Sequence, residues 1–555
     1  RKEEEVIFMK RILTTLLALT LVLALALPAL AEEEQDMRPR IIITTDGEYD
    51  DQCSFLRLIM YSDVIDIDGL IYSAAECHWK GDGEHTQKEI VPHFKGSDMG
   101  QAAGDLTTYR YMNGNDWMRQ MIVEDYGAVY ANLRVHSPNY PTPGELASKI
   151  YYGNEEFEGD MRFDTEGSDH IKACILDDDP RVLIICSWGG FNTVARALKS
   201  IEEEYGETDQ WEEIYDKVVN KVIIAGHGQD YTWDDYASIS WPDLVCASGG
   251  GTWNYFMTQD YNEYLKADFW MDNIKFGHGP FMANFYLMGD GQHYEGEWED
   301  QDVTPAGKVG VSDLLPYGYQ HGEIRDFDTY RFYGHDRLQQ YGIERYDFIT
   351  EGDSGTYVWA VPLGPNAIDT AATSIEEALA DLKYGTWGGR LEFNAETNTY
   401  GNLTGDYDPL LGVVSTSYNG GRYNDDMLND LATRADWCVT PNYEDANHYP
   451  TVTVPERRIT AAPGEKLSLT CEYSDPDGDE LTVNWYQYQE AGTYARQFVL
   501  PDPGADTVNF AVPTDAVDGD EIVMMVEVKD NGEHPLVDYA QVIITVEAPE
   551  EADAE

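Results

Sequence analysis

A short β-branched run, Ile41-Ile42-Ile43-Thr44-Thr45, ends in acid: Asp46, Glu48, Asp50 and Asp51 follow within six residues. An apolar run of this length fits a strand buried on both faces of a parallel sheet. The acids then sit at the strand's carboxyl end, where open α/β sheets bind ligands. Carboxylates crowded there repel one another unless a cation holds them, and an all-oxygen donor set favours calcium or magnesium. The same residues also suit a turn and a helix start, because Asp50 and Asp51 fit a first helical turn. Spacing alone leaves both readings open.

The pattern C-terminal to this run supports an α/β domain. A helical pattern over 51–61 is followed by a strand at 65–72. A strand over 181–187 precedes a helical pattern over 192–204, and further strands are expected at 218–225 and 244–248. Strands alternating with helices imply right-handed crossovers and a mostly parallel sheet. Residues 250–345 are rich in Tyr, Trp, Gly and Asp with weak periodicity. They read as long loops and short helices over the sheet, either packed by their own large side chains or lining a sugar or other ring-shaped ligand. Trp387-Gly388-Gly389-Arg390 offers an aromatic plane and a cation, for a sugar face or for packing at a domain junction.

Near residue 450 the pattern changes to short alternating strands separated by Pro-Gly, Asp-Pro-Asp-Gly-Asp and Asp-Asn-Gly turns. This predicts an immunoglobulin-like sandwich with Trp485 between its sheets. His448 is expected to cap the interface at the linker. The cluster at 475–479 suits a hairpin turn, with a calcium loop as the alternative. The expected organisation is upstream residues and a signal peptide over 1–31, an α/β domain over 39–448, the sandwich over 451–548 and an acidic tail over 549–555.

Met9-Lys10-Arg11, an apolar stretch over 12–27 and Ala29-Leu30-Ala31 have the layout of a cleaved secretory signal. The expected product is exported, begins near Glu32 and keeps no membrane anchor. The full 555-residue sequence has 37 basic and 102 acidic residues, a net charge of −65, which argues strongly against nucleic acid as a partner, because phosphate binding rests on clustered Lys and Arg. The seven cysteines are too sparse for a disulfide scaffold and show no zinc-ligand spacing. Cys186 and Cys246, in apolar runs, are expected in the core.

The acidic motif resembles the DxDxxxDD fingerprint of nucleoside hydrolases. Asp46, Asp50 and Asp51 match its last three aspartates, and Thr44 stands in place of the first. Ser187-Trp188-Gly189-Gly190-Phe191-Asn192-Thr193 resembles the loop that offers a main-chain carbonyl to calcium in that family. Glu351-Gly352-Asp353-Ser354 resembles its late calcium aspartate, and the 225–230 loop stands at its Met-Gly-Gly position. A longer resemblance runs through TTDGEYDD (44–51), WGGFNT (188–193), HGP (278–280), EGDS (351–354), TWGGR (386–390), DWCVTPNYEDANH (436–448) and SDPDGDELTVNWYQYQEAGTY (474–494). It is to exported bacterial cellulose-binding proteins that join a nucleoside-hydrolase-like domain to an immunoglobulin-like one.

The resemblance implies a bound Ca2+ and a carbohydrate or glycoside ligand, with plant polysaccharide among the candidates. Asp46 would be a ligand and the base that activates water. Asp51 and Asp353 would be ligands, with the Asn192 carbonyl beside them. Asp50 would position a sugar hydroxyl, and Glu48, Gln229 and Asp230 are further substrate-binding candidates. His278 is a candidate general acid, or alternatively a loop-holding residue; His227, His321 and His335 have weaker claims. Two functions remain open: a calcium-dependent hydrolase of N-glycosyl or related sugar bonds, and a non-catalytic carbohydrate-binding protein.

Overall fold

The computed structural model describes residues 36–76, 78–92, 104–109, 111, 116–226, 232–250, 266–285, 308–309, 324–325 and 351–547. The signal-like segment, the acidic tail, Cys77, His227, Gln229, Asp230, His321 and His335 lie outside them. The chain divides into two compact units, 1–38 and 39–555. In the first, Arg38 Nη2 pairs with Asp36 Oδ2 at 2.7 Å. The second holds the sheets, the helices and the site.

The strands of the large sheet are β1 (Arg40–Thr45), β2 (Asp66–Tyr72), β3 (Ile150–Tyr152), β4 (Leu183–Trp188), β5 (Val222–Ala225), β6 (Val245–Ala247), β7 (Glu392–Asn394) and β8 (Thr399–Gly401). Their spatial order is β3-β2-β1-β4-β5-β6-β8-β7. Every pairing is parallel except that of β7 with β8. The helices that matter for the site and core are α1 (Tyr49–Met60), α2 (Gly127–His136), α3 (Glu166–Leu176), α4 (Asn192–Tyr205), α5 (Trp211–Lys221) and α6 (Asn424–Trp437).

The β1 run behaves as its composition dictates. All six residues are buried. Ile41 and Ile43 join the core on one face, while Ile42 joins the core packed by α3, α4 and α5 on the other. Strand side chains alternate faces, so only a strand covered on both sides accepts an uninterrupted apolar run. Burying each such side chain contributes roughly 1.5–3 kcal/mol.

One strand expectation is corrected. Residues 218–221 close α5 rather than open β5. Trp211, Ile214, Tyr215 and Val218 recur at helical spacing and pack on the second core. That apolar stripe holds Val218 in the helix despite its β-branched neighbour. The other anticipated strands and helices form within one or two residues of their expected ends, and Cys186 and Cys246 are buried.

After the sheet come a hairpin, β9 (Asp406–Asp408) with β10 (Val413–Ser415), and the helix α6. The C-terminal strands are β11 (Thr451–Thr453), β12 (Arg458–Ala461), β13 (Lys466–Thr470), β14 (Glu472–Ser474), β15 (Thr482–Gln487), β16 (Thr507–Ala511), β17 (Glu521–Lys529) and β18 (Val537–Val546). A four-stranded sheet, β12-β18-β17-β15, faces the pairs β13-β16 and β11-β14 across a small core that contains Trp485. The four-stranded sheet is apolar on both sides. Ile522, Met524, Val526 and Val528 face the small core, whereas Val523 and Met525 join the main one.

Candidate functional site

In this strand order, β1 leads to β2 on one side while β4 lies on the other. The crevice between β1 and β4 is therefore the switch point where open α/β sheets bind ligands. Thr45 pairs with Trp188, so Asp46 and Gly189 leave the sheet at the same level. Gly189 takes a positive φ of 96°, and a Cβ there would come within 2.9 Å of the Asp46 carboxylate carbon. The turn after β4 thus needs a residue without a side chain to approach Asp46.

Asp46 and Asp51 are buried, at 4% and 3% exposure. Asp50 and Asp51 lie in the first turn of α1, as the helix-start reading expects, and this turn carries them to the same strand end as Asp46. Thr45 Oγ1 donates to Asp51 Oδ1 at 2.5 Å and accepts from Gly47 N at 3.0 Å. Ser54 Oγ donates to the Asp50 carbonyl at 2.8 Å and accepts from Asp353 N at 3.0 Å. One serine on α1 therefore seats the distant segment that carries Asp353. Gly352 belongs to the same fit, since a Cβ there would fall 2.4 Å from Asp50 Oδ2.

The electrostatics follow from this crowding. Burial, then the neighbouring charges of Asp46, Asp353 and Asp50, hold the Asp51 carboxyl well above the usual carboxylate range. Burial, then Asp50, Asp46 and Glu48, do the same for Asp353. The ligand atoms of Glu48, Asp50 and Asp51 lie within 4.8 Å of one another. Glu48 and Asp50 are half-buried and Asp51 is buried; a hard cation would relieve the repulsion among their oxygens, and this donor set fits calcium.

The sequence reading missed His78. It is fully buried, with Nδ1 3.2 Å from Asp46 Oδ2 and Nε2 3.2 Å from Glu48 Oε1. It thereby fixes the carboxylate that already receives Glu48 N on Oδ1 at 3.3 Å. The available signal was position: His78 lies on the loop after β2, at the carboxyl end of a neighbouring strand.

Asn192 is fully buried as the first residue of α4. Its Oδ1 accepts from Ser73 Oγ at 2.9 Å, and its Nδ2 donates to the carbonyls of Asn154 and Phe157 at 2.9 and 3.2 Å. Its side chain thus ties the ends of β2, β3 and β4 together. Thr44 directs its hydroxyl to Ser187 Oγ and the Gly190 carbonyl, both at 3.4 Å. His278 stands apart from the acids: its Nε2 meets Asp436 Oδ1 of α6 at 3.1 Å. Among the described residues, no contact joins it to Asp46, Asp50, Asp51 or Asp353.

Other singled-out residues serve the scaffold. Trp387 is buried beside Tyr61, and Arg390 bonds Asp406, Glu392 and Thr404. Asp475 accepts the backbone N–H groups of Asp477, Gly478 and Asp479 in a tight turn, and the carboxylates of Asp475, Asp477 and Asp479 lie within 4.8 Å of one another, an arrangement compatible with the turn and with the calcium-loop alternative. His448 bonds Asp477 through Nδ1 and His136 through Nε2 at the junction of the two regions.

Comparison with known proteins gives the chain's family. Residues 40–391 match the family described as "Cellulose-binding Sde182, nucleoside hydrolase-like domain", and residues 466–546 match "Cellulose-binding protein Sde0182, C-terminal domain". A nucleoside hydrolase-related protein from Saccharophagus degradans, described as associated with carbohydrate metabolism, aligns over 92% of this chain and 100% of its own. The identity is 21% and the TM-score 0.59, a likeness of fold. The PKD domain of human KIAA0319 aligns over 20% of this chain and 90% of its own, at 14% identity and a TM-score of 0.16. A search of curated proteins gives no match. The chain belongs to the Sde182 cellulose-binding family, with its nucleoside hydrolase-like domain and its C-terminal β domain.

Proposed function

We propose that the protein is an exported, calcium-dependent hydrolase of N-glycosyl or related sugar bonds. The carrying observation is the convergence of Asp46, Glu48, Asp50, Asp51 and Asp353 at the sheet's switch point. Asp46, Asp51 and Asp353 would hold Ca2+, with the Asn192 carbonyl assigned by family resemblance. A bound cation there supplies a lowered water pKa and an anchor for adjacent sugar hydroxyls. Asp46, oriented by His78, takes the proton from the attacking water. Asp50, half-buried in the first turn of α1, receives a sugar hydroxyl, and Glu48 supports it.

Titration of the metal-free protein with Ca2+ in a calorimeter tests the assignment. Asp46→Ala should abolish the binding heat; unaltered calcium affinity in that variant overturns it. A screen of glycosides and nucleosides, with and without EDTA, tests turnover. Calcium binding without release from any substrate favours the second reading, a non-catalytic carbohydrate-binding protein. That reading is favoured by Thr44, whose hydroxyl takes the place of the first fingerprint carboxylate, and by the family's cellulose-binding description.

A further inference from the structure

A cleft of about 660 Å3 opens between the β9–β10 hairpin with its following helix and the edge of the C-terminal sheet at β15. Its volume lies within the roughly 300–1,000 Å3 of small-molecule sites. Three tyrosines, Tyr407, Tyr418 and Tyr486, line it together with Gln489, Gln497 and Glu490. Arg422 forms part of the wall. Its guanidinium pairs with Asp406 at 3.0 Å and lies over the rings of Tyr486 and Tyr488. Glu490 Oε1 accepts Tyr407 N at 3.1 Å, so the two walls are bonded across the cleft.

What these side chains leave unused identifies the ligand. Tyr407 is 53% exposed, although it is a large aromatic on a strand. Among the described residues, neither the Tyr407 nor the Tyr418 hydroxyl has a hydrogen-bond partner within the protein, and the Gln497 amide has none either. Beside them the hairpin exposes Leu410, Leu411, Val413 and Val414. Aromatic faces flanked by free hydroxyl and amide groups suit a pyranose ring, whose C–H face stacks while its rim of hydroxyls is hydrogen-bonded. Glu490 and the net charge of −65 repel polyanions, so an acidic polysaccharide is disfavoured.

We infer that this cleft is a binding site for a neutral β-linked glucan chain, separate from the acidic crevice at the ends of β1 and β4. The inference rests on the carbohydrate-binding part of the function proposed above and gives that part a location. Glucose units with equatorial hydroxyls present apolar faces on both sides, which matches tyrosines on opposing walls. The cleft would hold a polymer, while the acidic crevice is left for the reacting or ion-held sugar.

The test uses the full-length exported protein, cellohexaose in a calorimeter and sedimentation with microcrystalline cellulose. Tyr407→Ala and Gln497→Ala alter exposed side chains, so an unchanged melting temperature confirms that each variant is folded. Tyr407→Ala should weaken cellohexaose binding about tenfold, the equivalent of one lost aromatic contact. Phe163→Ala, an exposed aromatic outside the cleft, should bind like the parent. Polygalacturonate should give no binding heat.

Parent-like affinity in the Tyr407→Ala, Gln497→Ala double variant overturns the inference. So does loss of binding only on EDTA treatment or in Asp46→Ala, which would place the glucan in the acidic crevice and leave the proposed function standing. Failure of the parent protein to bind either glucan overturns both the inference and the carbohydrate-binding reading. The calcium titration still reports independently on the acidic site.

Discussion

Arg57 and Glu351 are both removed from water, with side chains 1% and 0% exposed. The guanidinium grips the carboxylate with Nε and, at 3.0 Å, with Nη2. Its Nη1 donates to Tyr61 Oη and the Met427 carbonyl, each at 3.2 Å. This pair pins the segment carrying Asp353 to the helix carrying Asp50 and Asp51. Removing one partner of a buried pair strands the other charge, so Glu351→Ala should cost about 3–5 kcal/mol in chemical denaturation. It should also weaken calcium affinity, because Asp353 loses its seat two residues away. The acids of the site were legible in sequence because four of them, Asp46, Glu48, Asp50 and Asp51, follow one strand within six residues. His78 and Ser54 were not, since each acts on a partner far along the chain: His78 on Asp46, and Ser54 on Asp353.

The turn between β4 and α4 shows how tightly an element can be specified. A Cβ on Gly190 would lie 1.5 Å from the Ala74 carbonyl oxygen, backbone against backbone. Gly190→Ala should therefore destabilise the fold by more than the typical point-mutant value of about 1 kcal/mol, read as a lowered melting temperature. Gly352→Ala behaves differently, because the atom it meets is the tip of the Asp50 carboxylate, which can swing away. It should leave the melting temperature nearly unchanged and weaken calcium binding in the calorimeter. The strands themselves were readable wherever an apolar run was short and bounded. The exception, residues 218–221, is a β-branched pair whose fate depends on a stripe of aromatic residues that begins a turn or two earlier. Local composition cannot distinguish those outcomes; the helical spacing from Trp211 to Val218 can.

Across the whole molecule, the two regions share side chains rather than merely touching. Val523, Met525, Tyr539 and Ile543 of the C-terminal sheet, with Tyr488 just after β15, belong to the same core as α1 and α6. Polar bonds reinforce it: Tyr488 Oη donates to Asp406 Oδ2 at 2.7 Å, and Gln541 Nε2 donates to the Tyr384 carbonyl at 2.7 Å. A chain ending at residue 450 should therefore aggregate, or melt well below the parent in a thermal scan; a soluble truncation with the parent's melting temperature contradicts the shared core. The junction also carries a pH response. Burial holds the His136 imidazole below its ordinary value of 6.5, and its ring faces His448, the Thr440 carbonyl, Trp437 and Tyr443, with Asp477 beyond His448. The unfolded chain then takes the proton first as the solution is acidified, so this contribution is intact above pH 6.5 and is lost as pH falls below it. One proton limits the slope to about 1.4 kcal/mol per pH unit. His136→Gln should flatten the melting-temperature profile between pH 5 and 7.

The C-terminal sheet with two apolar sides has a consequence for how such a chain changes over generations. A sandwich sealed on its outer face can be cut out, duplicated or exchanged by recombination, because each half survives the cut. Here a crossover near residue 450 would hand each offspring half of a shared interior. A shared core of this kind predicts that the two regions are inherited as one unit, with variation in the outward side chains of β17 and β18 answered in α1, α6 and the 384–425 stretch of the same molecule.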